Sequence, residues 1–250
     1  TIETRTVASG VFEGIEIAAT WTDPATRRSY ALAVLDKQRA GRRLAREIAA
    51  RDEEIASELR NAASAVDGLD ECRALSRAAR ASRARDALAA RARVVRTQGA
   101  PPIATGDPGS AALSRRLAAA MDDVRFVVSA HEVGLGDGRD RGDLPALRAG
   151  VSEILTGLGF RTEGDVAPSG RVDCRLGLRA VDRGRGGWIH YRWEGACDLS
   201  GSGTVVLTTS VSGSESHPVD ATARTKALAV GGEALRSALD RDLRRYLYEE

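Results

Sequence analysis

Aromatic side chains are scarce in this 250-residue chain: three Trp, four Tyr and three Phe, 4% of the total. Without aromatics interleaved among basic residues there is no stacking platform for single-stranded nucleic acid. Lysine is nearly missing as well. Of 37 basic residues only Lys37 and Lys226 are lysines, and 35 acidic residues bring the net charge to +2. A dedicated nucleic-acid binder carries a clear basic excess, so nucleic acid is not an expected partner. Three cysteines are too few for a disulfide-built mini-domain. There is no run of about 18 apolar residues, the minimum for a membrane-crossing helix.

What is present is enough for a real core. The chain is 42% hydrophobic and 29% charged, which excludes a low-hydrophobicity disordered polymer. Its length suits one large domain or two small ones. Ile15, Ile17, Ala19 and Trp21 alternate with polar or small residues, the period of a half-buried strand. Asp23-Pro24-Ala25-Thr26 is a turn signal, and Tyr30, Leu32 and Val34 alternate in the returning strand. Folding at that turn opposes Trp21 to Tyr30, Ala19 to Leu32 and Ile17 to Val34, all on one face.

From Lys37 to Val66 the apolar spacing becomes helical, with Ile48, Ile55, Leu59, Ala62 and Val66 in one stripe. Asp67-Gly68 breaks it, and a second, alanine-rich helical run continues to about Thr97. Together they predict an antiparallel helical hairpin about 40 Å long. The second helix buries little alone and needs a partner surface. Its arginines, Arg73 to Arg96, could hold phosphates. However, they are scattered around the helix and the first helix offers Glu47, Asp52, Glu53, Glu54 and Glu58 as partners. Residues 98–110 are dense in Pro and Gly and read as a linker.

The remainder predicts a helix over 111–121, a strand over 124–128, a flexible glycine- and charge-rich loop over 134–143, and an amphipathic helix ending near Gly159. A short strand then begins at Phe160. Strands over 171–182 and 189–197 form a hairpin that opposes Ala180 to Tyr191, Leu178 to Trp193 and Cys174 to Cys197. A strand with Val205, Leu207, Thr209 and Val211 follows, then a helix from about Pro218 to Leu247. The expected class is α+β: a small β-hairpin/helix domain, a long helical hairpin, then an antiparallel sheet covered by helices. The expected domains are 1–66, the second hairpin helix 67–98, a linker 99–110 and an α+β domain 111–250.

Chemistry is thinly signalled. Cys174 and Cys197, as direct cross-strand neighbours, admit two readings: a disulfide in an oxidising compartment, or two reduced core cysteines. Cys72 reads as a packing residue. A zinc site lacks converging ligands, and no Gly-x-Ser-x-Gly elbow accompanies His131, His190 or His217. Ser216 reads as a cap for the last helix, and His131-Glu132 as an ordinary pair at a strand end. Asp137, Asp140 and Asp143 lack the spacing of an EF-hand. No catalytic residue, cofactor or metal is therefore expected.

Residues 16–40, EIAATWTDPATRRSYALAVLDKQRA, resemble the signature hairpin of the Lpp-twenty outer-membrane lipoprotein family. The elements are a strand ending in Trp21, a turn at Asp23-Pro24, then Tyr30, Leu32, Val34 and Asp36 leading into a helix. The carboxy-terminal part is more loosely similar to TolB- or CsgG-type periplasmic modules. These resemblances imply a non-enzymatic scaffold at the periplasmic face of a bacterial outer membrane, or at the cell surface. They also imply a membrane link only through a lipid anchor outside this sequence, and partners that are other envelope proteins or further copies of the chain, in a ring or filament. The family so resembled is related to the amino-terminal domain of a flagellar assembly protein. Two alternatives are a periplasmic protein binding glycan through Trp188 or Trp193, and a hydrolase uniting a histidine with carboxylates.

Overall fold

The computed structural model describes residues 15–95, 108–162, 167–181 and 187–248. The chain divides into two compact units, residues 1–56 with 80–110, and residues 57–79 with 111–250. The helices α1 (Lys37–Ala63) and α2 (Gly68–Val95) each contribute to both units. The linker predicted over 98–110 lies largely outside the described residues.

In the first unit, β1 (Ile15–Thr22) and β2 (Ser29–Leu35) form a two-stranded antiparallel ribbon. Trp21 pairs with Tyr30 and Ala19 with Leu32, but Ile17 faces Ala33 and Val34 faces Glu16. The expected Ile17–Val34 pair is corrected by an extra residue, Ala18, at a bulge. A one-residue slip turns a side chain to the other face, so the ribbon is apolar on both sides. Asp36 ends it by capping α1: its Oδ1 accepts the Arg39 N–H at 3.0 Å. Within this unit Ile48 of α1 packs against Ala89 and Ala92 of α2.

In the second unit, Asp67 Oδ1 accepts the Asp70 N–H at 2.9 Å and starts α2 where the sequence breaks. Ala62, Ala74 and Leu75 are buried against Leu117 and Ala120 of α3 (Ser110–Asp123). The alanine-rich helix thus finds part of its partner surface in α3. The five-stranded sheet has the order β4-β3-β5-β6-β7. Its strands are β3 (Phe126–Gly134), β4 (Asp140–Asp143), β5 (Gly170–Val181), β6 (Ile189–Gly201) and β7 (Thr204–His217).

The α+β class holds, but the sheet is mixed, because β3 and β5 run parallel. Parallel neighbours need a crossover, and α4 (Pro145–Leu158) supplies it. Pro145 opens α4, and Gly159 closes it in the left-handed region at φ 102°, a conformation glycine adopts without Cβ strain. Two further expectations are corrected. The loop over 134–143 contains β4, which pairs with β3. The strand expected at Phe160 is only a bridge between Arg125 and Arg161.

The core lies between one face of this sheet and the helices. Phe126, Val172, Cys174, Cys197 and Leu199 meet Val151 and Leu155 of α4 and Leu235, Leu239 and Leu243 of α5 (Asp220–Tyr248). Phe126 and Phe160 meet edge to face at 5.3 Å.

Candidate functional site

The ribbon is the feature that internal packing does not explain. Trp21 is 53% exposed, Leu32 50% and Ile17 67%, with Tyr30 and Val34 similarly uncovered. Trp21 and Tyr30 lie stacked, ring centroids 5.2 Å apart and planes at 14°. A half-buried strand was the expectation; the described residues provide no cover for either face. The turn is tightly held. The Asp23 carboxylate accepts the Thr26 hydroxyl at 2.6 Å and the Ala25 N–H at 2.9 Å. Those two bonds, the hydroxyl first, hold its pKa below the usual carboxylate range. Pro24 sits within this turn and Arg27 takes a left-handed φ of 52°. Asp23 and Asp36 therefore fix the ends of the ribbon, while Trp21, Tyr30, Leu32 and Val34 project uncovered from the face between them.

Cys174 and Cys197 pair across β5 and β6 and are joined by a disulfide, Cα atoms 4.1 Å apart. Both are fully buried. Cys72 is a buried free thiol. Burial first, then the carboxylates of Glu71, Asp67 and Asp123, push its pKa up to about 12, which leaves almost no reactive thiolate.

The histidines are dispersed. His131 Nδ1 is buried and stands 3.2 Å from Asp140 Oδ2 and 3.4 Å from Asp143 Oδ1, close enough for ion pairing but not aligned for a hydrogen bond. Glu132, on the opposite face of β3, is buried against Arg224 of α5, whose Nη2 donates to Oε1 at 2.6 Å. The two thus belong to the middle of a strand pair rather than a strand end. His190 Nδ1 lies 2.5 Å from Ser216 Oγ. Ser216 does not cap the last helix; α5 begins at Asp220, and His217 Nδ1 accepts the Val219 N–H at 3.1 Å. Among the described residues no carboxylate joins the His190–Ser216 pair, and the nearby Asp220 accepts the Tyr191 hydroxyl. Groups of three or more His, Cys, Asp or Glu able to hold a metal are absent among the described residues.

Three of the α2 arginines have a ring or carboxylate partner. Arg73 lies over the Tyr246 ring at 4.9 Å. Arg77 meets Glu58 at 3.0 Å, and buried Arg85 meets Asp52 at 3.3 Å and Asp86 at 3.2 Å. Of the two tryptophans weighed for glycan stacking, Trp193 is 5% exposed and belongs to the core, whereas Trp188 is 48% exposed.

Among the described residues nothing covers the sheet face opposite α5, and that face is mostly polar. A shallow trough of about 550 Å³ crosses it, lined among others by Leu135, Arg175, Gly177, Glu194, Ala196 and Ser210. Sequence reading missed this feature. The alternation within β5 and β6 marks the outward residues, but not that they stay uncovered.

No helix among the described residues is long and apolar enough to cross a membrane. No family model matches the chain, and no curated protein matches it. Among solved structures, a minor lipoprotein from Acinetobacter baumannii is similar at a TM-score of 0.29 and 10% identity, over 50% of this chain and 90% of its own. A protein from Xanthomonas campestris assigned to DUF330 is similar at 0.28 and 12% identity, over 50% of this chain and 84% of its own. At these scores the likeness transfers neither fold nor function, and the chain stands beside these bacterial proteins as a distant structural neighbour.

Proposed function

We propose that this chain is a non-catalytic scaffold or assembly component of the bacterial cell envelope, of the outer-membrane lipoprotein kind, working through protein–protein contacts. The observation that carries the reading is the uncovered ribbon. An isolated two-stranded hairpin is marginal in water, and an apolar patch of this kind marks an interaction site. Burying one such side chain is worth about 1.5–3 kcal/mol. Docking would therefore stabilise the ribbon while supplying affinity. The buried disulfide supports an oxidising compartment such as the periplasm, and the resemblance of residues 16–40 supports the envelope and the outer-membrane setting. The neighbour is a further copy of the chain, and a ring or filament is the form such repetition takes.

Sedimentation of the intact chain at rising concentration tests this. Self-association is expected, weakened by Trp21→Glu with Leu32→Glu while circular dichroism stays unchanged. A strict monomer at high concentration would sink the reading.

A further inference from the structure

The two edges of the five-stranded sheet are built on opposite principles. β4 is four residues long, carries Asp140, Arg141 and Asp143, and meets β3 through a register shift. Shortness, charge and a bulge are the devices by which a sheet refuses another strand. β7 is 14 residues long; it has a register shift of its own at Val206, near its start, but its stretch Thr204–Ser214, TVVLTTSVSGS, contains neither charge nor proline. Its one strand neighbour among the described residues is β6. Among the described residues no other main-chain group hydrogen-bonds to it. Thr208, Ser210, Ser212 and Ser214 lie exposed on the open face of the sheet. On the other face Thr209 bonds to Asp242 of α5 at 3.0 Å.

We infer that β7 pairs antiparallel with β7 of a second copy, about a two-fold axis at Ser210, so that two five-stranded sheets become one of ten strands. A two-fold contact requires a patch that matches itself, and this edge does so in two respects. It carries no charge over Thr204–Ser214, so like meets like without repulsion. Over Thr208–Ser214 its side chains on the open face are hydroxyls: Thr208 already donates to Asp198 at 2.7 Å and is left to accept, while Ser210 and Ser212 can donate and accept. In this register Thr208, Ser210 and Ser212 face the second copy's Ser212, Ser210 and Thr208, pairs that hydrogen-bond across strands. A foreign extended peptide could use the same main-chain groups. Yet Thr204–Ser214 offers no charge to select its sequence, and the selectivity of strand addition comes from side-chain contacts. This surface is separate from the ribbon, and the inference goes beyond the docking role proposed for it.

The test starts from the full chain with Trp21→Glu and Leu32→Glu, which removes the ribbon contact. Light scattering should still report a dimer. Adding Ser210→Lys and Ser212→Lys, both directed to solvent in the single copy, should weaken that dimer roughly tenfold or more by opposing like charges. At a dilution where the chain is monomeric, thermal stability should not fall. Separately, Ser210→Cys should give a covalent dimer on mild oxidation, since Cys72 is buried and unreactive. A monomer with the ribbon disabled, or a dimer indifferent to the lysines and without the Ser210→Cys cross-link, overturns the edge pairing. So does a chain that stays monomeric and captures an added strand peptide instead. None of these outcomes touches the ribbon reading, which the ribbon variant of the otherwise unaltered chain decides.

Discussion

Two antiparallel strand pairs in this protein share one sequence pattern and meet opposite fates. In β1–β2 the Trp21–Tyr30 pair stands in solvent, with Trp21 53% exposed; in β5–β6 the Leu178–Trp193 pair is buried, with Trp193 at 5%. Alternation says which residues share a face. It does not say whether anything covers that face. The cover over β5–β6 comes from α5, whose buried residues Ala223, Ala227, Gly231, Leu235, Leu239, Leu243 and Leu247 recur every four positions. No described residue does the same for the ribbon. An apolar surface left uncovered by its own chain is what a docking element needs, and one sealed by a helix is what a core needs.

The widest gap between the two regions should appear on truncating one leucine in each. Leu239 is fully buried between sheet and α4, so Leu239→Ala should cost about 2–5 kcal/mol through lost burial and the cavity left behind. Leu32→Ala removes the same atoms from an exposed site and should change stability by less than about 0.5 kcal/mol. Urea denaturation of the two variants side by side, at a dilution where the chain is monomeric, measures this. Equal losses would mean that the ribbon packs internally after all.

The disulfide sharpens the contrast from the covalent side. It closes a segment with a sequence separation of 23 residues. Replacing both cysteines by alanine should cost about 3 kcal/mol, chiefly by freeing the unfolded chain. Thiol counting gives an independent check. At pH 8 the native protein should alkylate at none of its cysteines, because the Cys72 thiol has its pKa pushed up to about 12. The unfolded chain should alkylate at one, and the unfolded, reduced chain at three. Two reactive thiols in the native state would contradict both the bridge and the burial.

A third change probes how closely α5 and β7 press on Trp193. A Cβ added at Gly213 would come 2.3 Å from Trp193 Cζ2, and one at Gly231 would come 3.1 Å from Cδ2. Gly213→Ala should therefore cost about 1–3 kcal/mol by overpacking. Glycine at this point of an edge strand is a packing requirement, because a large ring occupies the space where its side chain would stand. Near-ultraviolet circular dichroism would show whether Trp193 is displaced.

Why some of this was legible in the sequence and some was not follows from the range of each signal. The β5–β6 register, and with it the meeting of Cys174 and Cys197, could be read because both strands alternate strictly and the turn lies between them. The β1–β2 register failed at Ala18, since a bulge leaves no trace in an alternation of Ile, Ala and Trp. The parallel pairing of β3 with β5 joins segments 44 residues apart, as for Phe126 and Gly170. Such pairing depends on the crossover through α4 rather than on any local pattern. The glycine-rich stretch over 134–143 concealed β4 because three of its four residues, Asp140, Gly142 and Asp143, are poor strand formers held there by pairing with β3. The open edge of β7 could not be read at all, because strand order decides which strand is last.

The smallest expected effect lies at the ribbon's turn. The Asp23 carboxylate, fully exposed, has its pKa depressed by the Thr26 hydroxyl first and the Ala25 N–H second. A carboxylate with a depressed folded pKa lends stability above its unfolded pKa, and that contribution fades as the pH falls through the folded value. The ribbon amides should therefore exchange faster with solvent, relative to the β5–β6 amides, once the pH drops below the ordinary aspartate range. The β5–β6 pair, held by its disulfide and by α5, should keep its protection. Asp23→Asn retains a side-chain oxygen for the turn but removes the titration, so in that variant the ratio of ribbon to core exchange should no longer respond to acid. A response that persists in Asp23→Asn would assign the acid sensitivity elsewhere. The turn would then hold through Pro24 and the strand pairing alone.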